Sequence, residues 1–286
     1  MSLTTFGPAW SASLRRGDEA ELEAWLAFAL GLADVADAMA MGAFRRDLEI
    51  TTKPDRTYVT QVDRAIEEAL RARIADAFPD HGVVGEEFGT SAPDASVRWY
   101  LDPIDGTHNF MRGVPVFGTL LGIERDGELQ VGVVSAPALG ARWYARRGGG
   151  AWANDTVRRA GADAGPRRIA VSKVSAIADT ALLYGSAQDV ASSGKAPGFG
   201  ALIADAWRDR GYGDFWGYML VAEGAAEAMV EADLSSWDLA GPLVVVEEAG
   251  GRMTTFDGRR TIHERSALAT NGILHEELLR RLGGPT

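Results

Sequence analysis

Helical and extended periodicities alternate along this 286-residue chain, which predicts a layered protein of the α+β or α/β class. Three observations carry that reading. Two amphipathic stretches come first, short apolar runs separated by turn residues follow, and beyond residue 166 strand-like and helix-like segments take turns. With 46% hydrophobic residues the chain can bury a sizeable core, as one large domain or two moderate ones.

Residues 18–46 read as a long helix. Asp18, Glu19 and Glu21 sit at the positive end of its dipole, and Leu22, Trp25, Leu26, Ala29, Leu32, Ala36 and Met39 recur at three- and four-residue steps. This stretch is apolar, but Asp34 and Asp37 interrupt it, which argues against a membrane span. Residues 61–77 form a second expected helix, with Val62, Ile66, Leu70, Ile74 and Phe78 as its stripe and Pro79 as its stop. Strands are expected at 82–85, 97–101 and 141–146, and in a hairpin that turns at Asp126-Gly127 between flanks 119–123 and 129–134. The glycine-rich run 147–155 and the small, polar run 160–166 mark an expected boundary, with an N-terminal domain 1–155 and a C-terminal domain 156–286. The second domain reads as a strand at 169–172, a mobile, loop-rich stretch at 187–200, a helix at 215–226 and a strand at 228–232. A helix at 238–249, with Pro242 early and Gly250-Gly251 after its end, precedes a strand at 267–270 and a helix at 273–282.

The formal net charge of -11 repels nucleic acid and anionic membranes, so neither is an expected partner. The absence of cysteine excludes disulfides, thiolate metal sites and cysteine nucleophiles. Residues 1–10 lack the basic and then apolar pattern of a secretory leader, and a cytoplasmic protein is expected. So acidic a chain also repels substrate phosphates unless bound divalent cations reverse the local sign, and such cations need carboxylates.

The chemistry is concentrated in Leu101-Asp102-Pro103-Ile104-Asp105-Gly106-Thr107-His108-Asn109-Phe110. An apolar strand ends at Asp102, Pro103 stops its ladder, and Asp105 follows in a turn, so two carboxylates converge at a strand end. Gly106-Thr107 then opens a helical turn whose N–H groups suit a phosphate. Glu86 ends another apolar strand, Asp238 starts a helix, and Asp63 opens the second helix. Four carboxylate segments, each at an element terminus, favour a composite metal site over four unrelated turns.

Gly85-Glu86-Glu87, Asp102-Pro103-Ile104-Asp105-Gly106-Thr107 and Trp237-Asp238-Leu239-Ala240-Gly241 together resemble the signature set of the inositol monophosphatase superfamily, from about residue 18 to 282. That resemblance implies a layered αβαβα sandwich and a Mg²⁺-dependent phosphomonoesterase. It implies that Glu86, Asp102, the Ile104 carbonyl, Asp105 and Asp238 bind about two or three Mg²⁺ ions. It further implies that Gly106 and Thr107 hold the phosphate, that Glu86 and Thr107 orient the attacking water with Asp63 acting through water, and that Lys53 lies near the site. Two metals clamping a phosphoryl group remove the need for a covalent nucleophile. Consistently, the chain has no Asp-x-Asp-x-Thr, no Gly-x-Ser-x-Gly and no phosphate-binding loop of the Gly-x-x-x-x-Gly-Lys type.

For the alcohol half of the substrate, Glu231 stands seven residues before Asp238, where the inositol enzymes set a glutamate against substrate hydroxyls. An acid there also suits an ammonium group. Asp214 reads as a helix N-cap or as a second acidic contact. The segments 112–116, 134–140, 212–215 and 220–225 resemble the actinobacterial-type histidinol-phosphate phosphatases of histidine biosynthesis, except that His108 stands where lysine is common. Asn109-Phe110 argues against the nucleotide-phosphate branch. The expected activity is hydrolysis of L-histidinol phosphate. The alternatives are inositol-1-monophosphatase or fructose-1,6-bisphosphatase-like activity and, from another class, a non-catalytic metal-binding regulator. The expected partners are a small phosphate monoester and a second copy in a homodimer, with Trp152 and Trp207 as candidate contacts. His81, His263 and His275 read as surface residues.

Overall fold

A computed structural model describes residues 16–52, 58–155 and 165–283. Lys53 lies outside the described residues. After α1 (Arg16–Ala43), β1 (Ile50–Thr52) and β2 (Tyr58–Thr60) pair as an antiparallel ribbon, and α2 (Gln61–Ala77) follows directly. A large sheet is then built from β3 (Gly82–Gly85), β4 (Gly89–Ser91), β5 (Val97–Asp105), β6 (Gly118–Arg125), β7 (Glu128–Ala136), β8 (Ala141–Arg146), β9 (Gly150–Asp155) and β10 (Arg167–Ile169). Its order is β10-β9-β8-β7-β6-β5-β3-β4, and among the described strands of this sheet only β3 and β5 pair in parallel. The short α3 (Thr107–Met111) leaves the end of β5. A second sheet, of order β12-β11-β13-β15-β14, contains β11 (Ala181–Tyr184), β12 (Arg208–Arg210), β13 (Ala228–Ala232), β14 (Arg252–Thr254) and β15 (Ser266–Thr270). Its helices are α4 (Ala187–Val190), α5 (Ala196–Asp205), α6 (Asp214–Ala222), α7 (Ser236–Glu248) and α8 (His275–Arg281).

These elements stack in five layers. α1 and α2 cover one face of the large sheet, α6 and α7 lie between the two sheets, and α4, α5 and α8 cover the far face of the smaller one. Three buried clusters fill the spaces between layers. The apolar stripe of α1, with Leu22, Trp25, Ala29, Leu32 and Ala36 buried, packs on α2 and β7. α1 is long and apolar enough to cross a membrane by length and composition, yet its two interior acids are committed to the sheet: Arg142 of β8 pairs with Asp34 at 2.8 Å and with Asp37 at 2.6 Å. α2 starts where the pattern predicts, because the Thr60 hydroxyl and Asp63 carboxylate cap each other's backbone N–H groups. α7 lies unusually close to the large sheet. A Cβ on Gly122 would stand 2.4 Å from Ala240 Cβ, and one on Gly132 would stand 2.3 Å from the Gly241 carbonyl.

Several expectations are corrected. β5 does not end at Asp102: the ladder breaks in a bulge that holds Pro103 and resumes with Asp105 opposite Gly118. The stretch 187–200 is helical. The Ser186 hydroxyl caps α4, a wide turn at Ala191–Lys195 kinks at left-handed Gly194, and α5 follows with Phe199 and Leu202 buried. The glycine-rich run closes a β8–β9 hairpin. β10, beyond the boundary expected near 155, is the edge strand of the large sheet, so the chain passes between sheets after Ile169. His275 is buried, its ring nitrogens 3.0 Å from the Thr254 hydroxyl and 2.9 Å from the Thr270 hydroxyl. His81 is partly buried, accepting a hydrogen bond from Trp99 Nε1 at 3.0 Å.

Candidate active site

Three carboxylates meet where β5 ends and α7 begins. Single oxygens of Asp102, Asp105 and Asp238 all lie within 4.8 Å of one another. Asp102 and Asp105 come from the two sides of the bulge in β5, which turns both towards one point. Asp238 sits in the first turn of α7, where its Oδ2 accepts the Ser235 N–H at 2.7 Å. Glu86, just after β3, lines the same cavity of about 650 Å³ together with Ile104, Gly106 and Thr107. Gly106 has φ 78, a left-handed conformation that costs glycine little, and it swings the chain from β5 into α3. The Asn109 and Phe110 N–H groups already donate to the Gly106 carbonyl, at 2.8 and 3.0 Å, which leaves the Thr107 and His108 amides as the first of α3.

Asp63 stands behind this wall. Its Oδ2 accepts the Thr60 N–H at 2.9 Å as well as the Thr60 hydroxyl, and its Oδ1 lies 3.4 Å from the Thr107 hydroxyl, which donates to the Ile104 carbonyl at 2.9 Å. Asp63 thus does not line the cavity itself and touches its wall at Thr107.

The opposite wall comes from the second sheet. Glu231 on β13 is buried, its Oε2 lacks a hydrogen-bond partner, and the Tyr218 hydroxyl lies beside it. Asp214 opens α6 with φ 50 and accepts from Asn109 Nδ2 at 3.3 Å. The N-cap role expected of Asp214 belongs instead to Asp105, whose Oδ2 accepts the Phe215 N–H at 2.8 Å from across the cleft. Asp189 of α4 and Tyr58 also line the cavity, and the Tyr58 ring meets the His108 ring edge-on at 4.9 Å. Pattern reading missed Asn109, Asp189 and Tyr58 as site residues, because none stands at a strand end within an acidic motif.

Eight acidic side chains and no lysine or arginine line the cavity among the described residues. Burial, then the charges of Glu86, Asp105 and Asp238, hold Asp102 well above the usual carboxylate range, and burial and Asp214 do the same to Asp105. Burial pushes Asp238 up to about 7 and Glu231 up to about 8. Asp63 is raised by burial against the pull of its Thr60 hydrogen bonds. Crowded carboxylates of this kind, with the buried Asp102 Oδ1 lacking any partner, are a donor set for hard divalent cations.

A profile of the inositol monophosphatase family matches residues 21–283. A histidinol-phosphatase of Mycobacterium tuberculosis (strain ATCC 25618 / H37Rv) is 47% identical over 258 residues, covering 90% of this chain and 97% of that protein. One from Streptomyces coelicolor (strain ATCC BAA-471 / A3(2) / M145) is 45% identical, covering 87% and 92%. The solved structure of an inositol monophosphatase from Thermotoga maritima superposes with a TM-score of 0.79 at 28% identity, covering 90% of this chain and 96% of that one.

Proposed function

The chain belongs to the inositol monophosphatase family and is a metal-dependent phosphoric monoester hydrolase, and from that premise we propose that it is a Mg²⁺-dependent histidinol-phosphate phosphatase, converting L-histidinol phosphate and water to L-histidinol and phosphate. The observation that carries the choice of alcohol is a cavity lined, among the described residues, by eight acids and no lysine or arginine, with buried Glu231, whose Oε2 lacks a hydrogen-bond partner, opposite the carboxylate cluster. A substrate that brings an ammonium and an imidazole supplies the positive charge this wall lacks. The names of the 47% and 45% identical relatives support the same choice.

In this reading Glu86, Asp102, Asp105, Asp238 and the Ile104 carbonyl hold the cations, two or three in number. Bound there, Mg²⁺ neutralises the cluster and draws charge from the phosphoryl oxygens and the leaving alkoxide. The Gly106 and Thr107 amides bind the phosphate at the start of α3. The Thr107 hydroxyl and Glu86 orient the attacking water, Glu86 taking its proton, while Asp63 holds the Thr107 hydroxyl in place from behind. Glu231 and Asp214 face the alcohol. The first half thus supplies most of the metal wall, and the second half supplies Asp238 and the selective wall. The proposal extends to a cytoplasmic homodimer, for which Trp207, 66% exposed, is a candidate contact that sedimentation of a Trp207→Ser variant tests.

The decisive experiment compares kcat/KM for L-histidinol phosphate, inositol 1-phosphate and fructose 1,6-bisphosphate. A preference for the first of at least about tenfold is expected from one additional charge contact. Preference for inositol 1-phosphate would leave the reaction class intact and discard the alcohol. A second reading as an inositol monophosphatase rests on Glu231 itself: a carboxyl raised to about 8 is neutral near pH 7 and suits sugar hydroxyls too.

A further inference from the structure

Glu67 stands one helical turn beyond Asp63 on α2 and is fully buried, outside the cavity. A buried carboxylate is costly unless hydrogen bonds compensate it. This one accepts the backbone N–H of Glu87 at 2.7 Å and of Phe88 at 3.2 Å, and it receives Arg71 Nε at 2.7 Å. Arg71 in turn donates to the Gly89 carbonyl. The whole turn between β3 and β4 therefore hangs on the Glu67–Arg71 pair. Space for it is made at the residue before Glu86: a Cβ on Gly85 would lie 2.1 Å from Glu67 Oε1. On its other side the turn is tied to β5, where the Glu86 N–H donates to the Leu101 carbonyl at 3.3 Å, next to Asp102.

Such a tether answers a specific electrostatic problem. The charge of Glu86 acts on Asp63, Asp102 and Asp238, all negative when ionised, and repulsion drives an untethered Glu86 out towards solvent. We infer that Glu67 is a positioning residue for Glu86: by fixing the Glu86–Gly89 turn it holds the Glu86 carboxylate against the cluster and so sets the affinity of the site for divalent cations. The inference rests on Glu86 being a metal ligand, as proposed above. Groups that orient metal ligands from outside are typically worth about 10–100-fold in metal affinity.

Mg²⁺ binding to the full chain, measured by isothermal titration calorimetry, tests this in Glu67→Gln and Glu86→Gln side by side. Glutamine preserves the size of Glu67 but turns an NH₂ group towards one of the two amides. Glu67→Gln is expected to weaken Mg²⁺ about tenfold or more, and saturating Mg²⁺ to restore kcat, which is a shift in metal requirement and not in the chemical step. An affinity within about twofold of native for Glu67→Gln, with a clear loss in Glu86→Gln, overturns the positioning role alone. Native affinity in Glu86→Gln overturns the ligand assignment and the inference with it. A remote variant of equal thermal stability, such as His275→Asn, controls for general loosening, and an equal loss of affinity there also overturns the inference. Should Glu67→Gln fail to fold, Gly85→Ala, whose Cβ displaces the carboxylate without removing it, is read by the same titration and the same outcomes.

Discussion

Asp105 serves two neighbours at once. It contributes to the carboxylate cluster, while its Oδ2 caps α6 at Phe215 from the opposite half. Asparagine at 105 keeps an acceptor for the cap and loses the charge. Asp105→Asn is therefore expected to fold and to lose at least about 100-fold in kcat/KM, and near-native phosphate release would remove Asp105 from the metal set. His275 makes a second residue-scale prediction. Burial, and after it the positive charge of Arg252, lowers its pKa to about 4 from an ordinary 6.5, with the ring held between two threonine hydroxyls. The unfolded chain binds a proton there that the folded chain refuses, so stability is full above pH 6.5 and falls as pH drops towards 4. The loss is about 3 kcal/mol, and urea melts of native and His275→Gln chains across that range should show a steep and a flattened profile. At this scale the sequence spoke clearly where chemistry and element ends coincide. Asp102, Asp105, Glu86 and Asp238 stand in short, specific motifs, and the structure sets them around one cavity. Glu67 was silent, because an acid four residues beyond Asp63 on a helix reads as a solvated side chain until the 86–88 turn is seen folded onto it.

Elements were legible in proportion to their length and amphipathicity. α1, α2, β3, β8 and β13 lie where periodicity places them, since each has a stripe or alternation long enough to read. β4, β12 and β14 have three residues each and exist through their neighbours in the sheet, which no local pattern records. The 187–200 stretch was misread for a related reason: its serines and glycines outnumber the anchors Val190, Phe199 and Leu202 that seat it as helix. The position of α7 was equally hidden, because it depends on Gly122 and Gly132, one strand apart, leaving room for its backbone. Gly132→Ala is expected to push α7 off the sheet, lowering stability by about 1–3 kcal/mol in urea melts. Asp238 moves with α7, so Mg²⁺ affinity should fall as well. Unchanged affinity alongside lowered stability would show that the first turn of α7 is held independently.

For the whole molecule the dominant quantity is negative charge, a net -11 with eight acids around one cavity. That sum was readable from composition, whereas the five-layer order was not, since it depends on pairings such as β3 with β5 and β11 with β13. The charge makes folding, pH and metal interdependent. Glu231 rises from 4.5 to about 8 and Asp238 from 3.8 to about 7 on folding, with burial as the main cause. In the metal-free chain these groups keep protons that the unfolded chain releases. Their contribution is therefore fully present below about pH 4 and is lost as pH rises through 7 and 8. With a chelator, Tm should decline between pH 5 and 8, and added Mg²⁺ should restore most of that decline. A chelated Tm independent of pH would contradict this linkage. The placement of α7 has one more consequence, for biosynthesis. The central strands β6 and β7 leave the ribosome well before residues 236–248, the segment that covers their inner face. At about 5–20 residues per second, the nascent sheet waits roughly 5–20 s with that apolar face uncovered. The growing chain therefore presents chaperones with a client whose vulnerable interval is set by how far along the message its central helix is encoded.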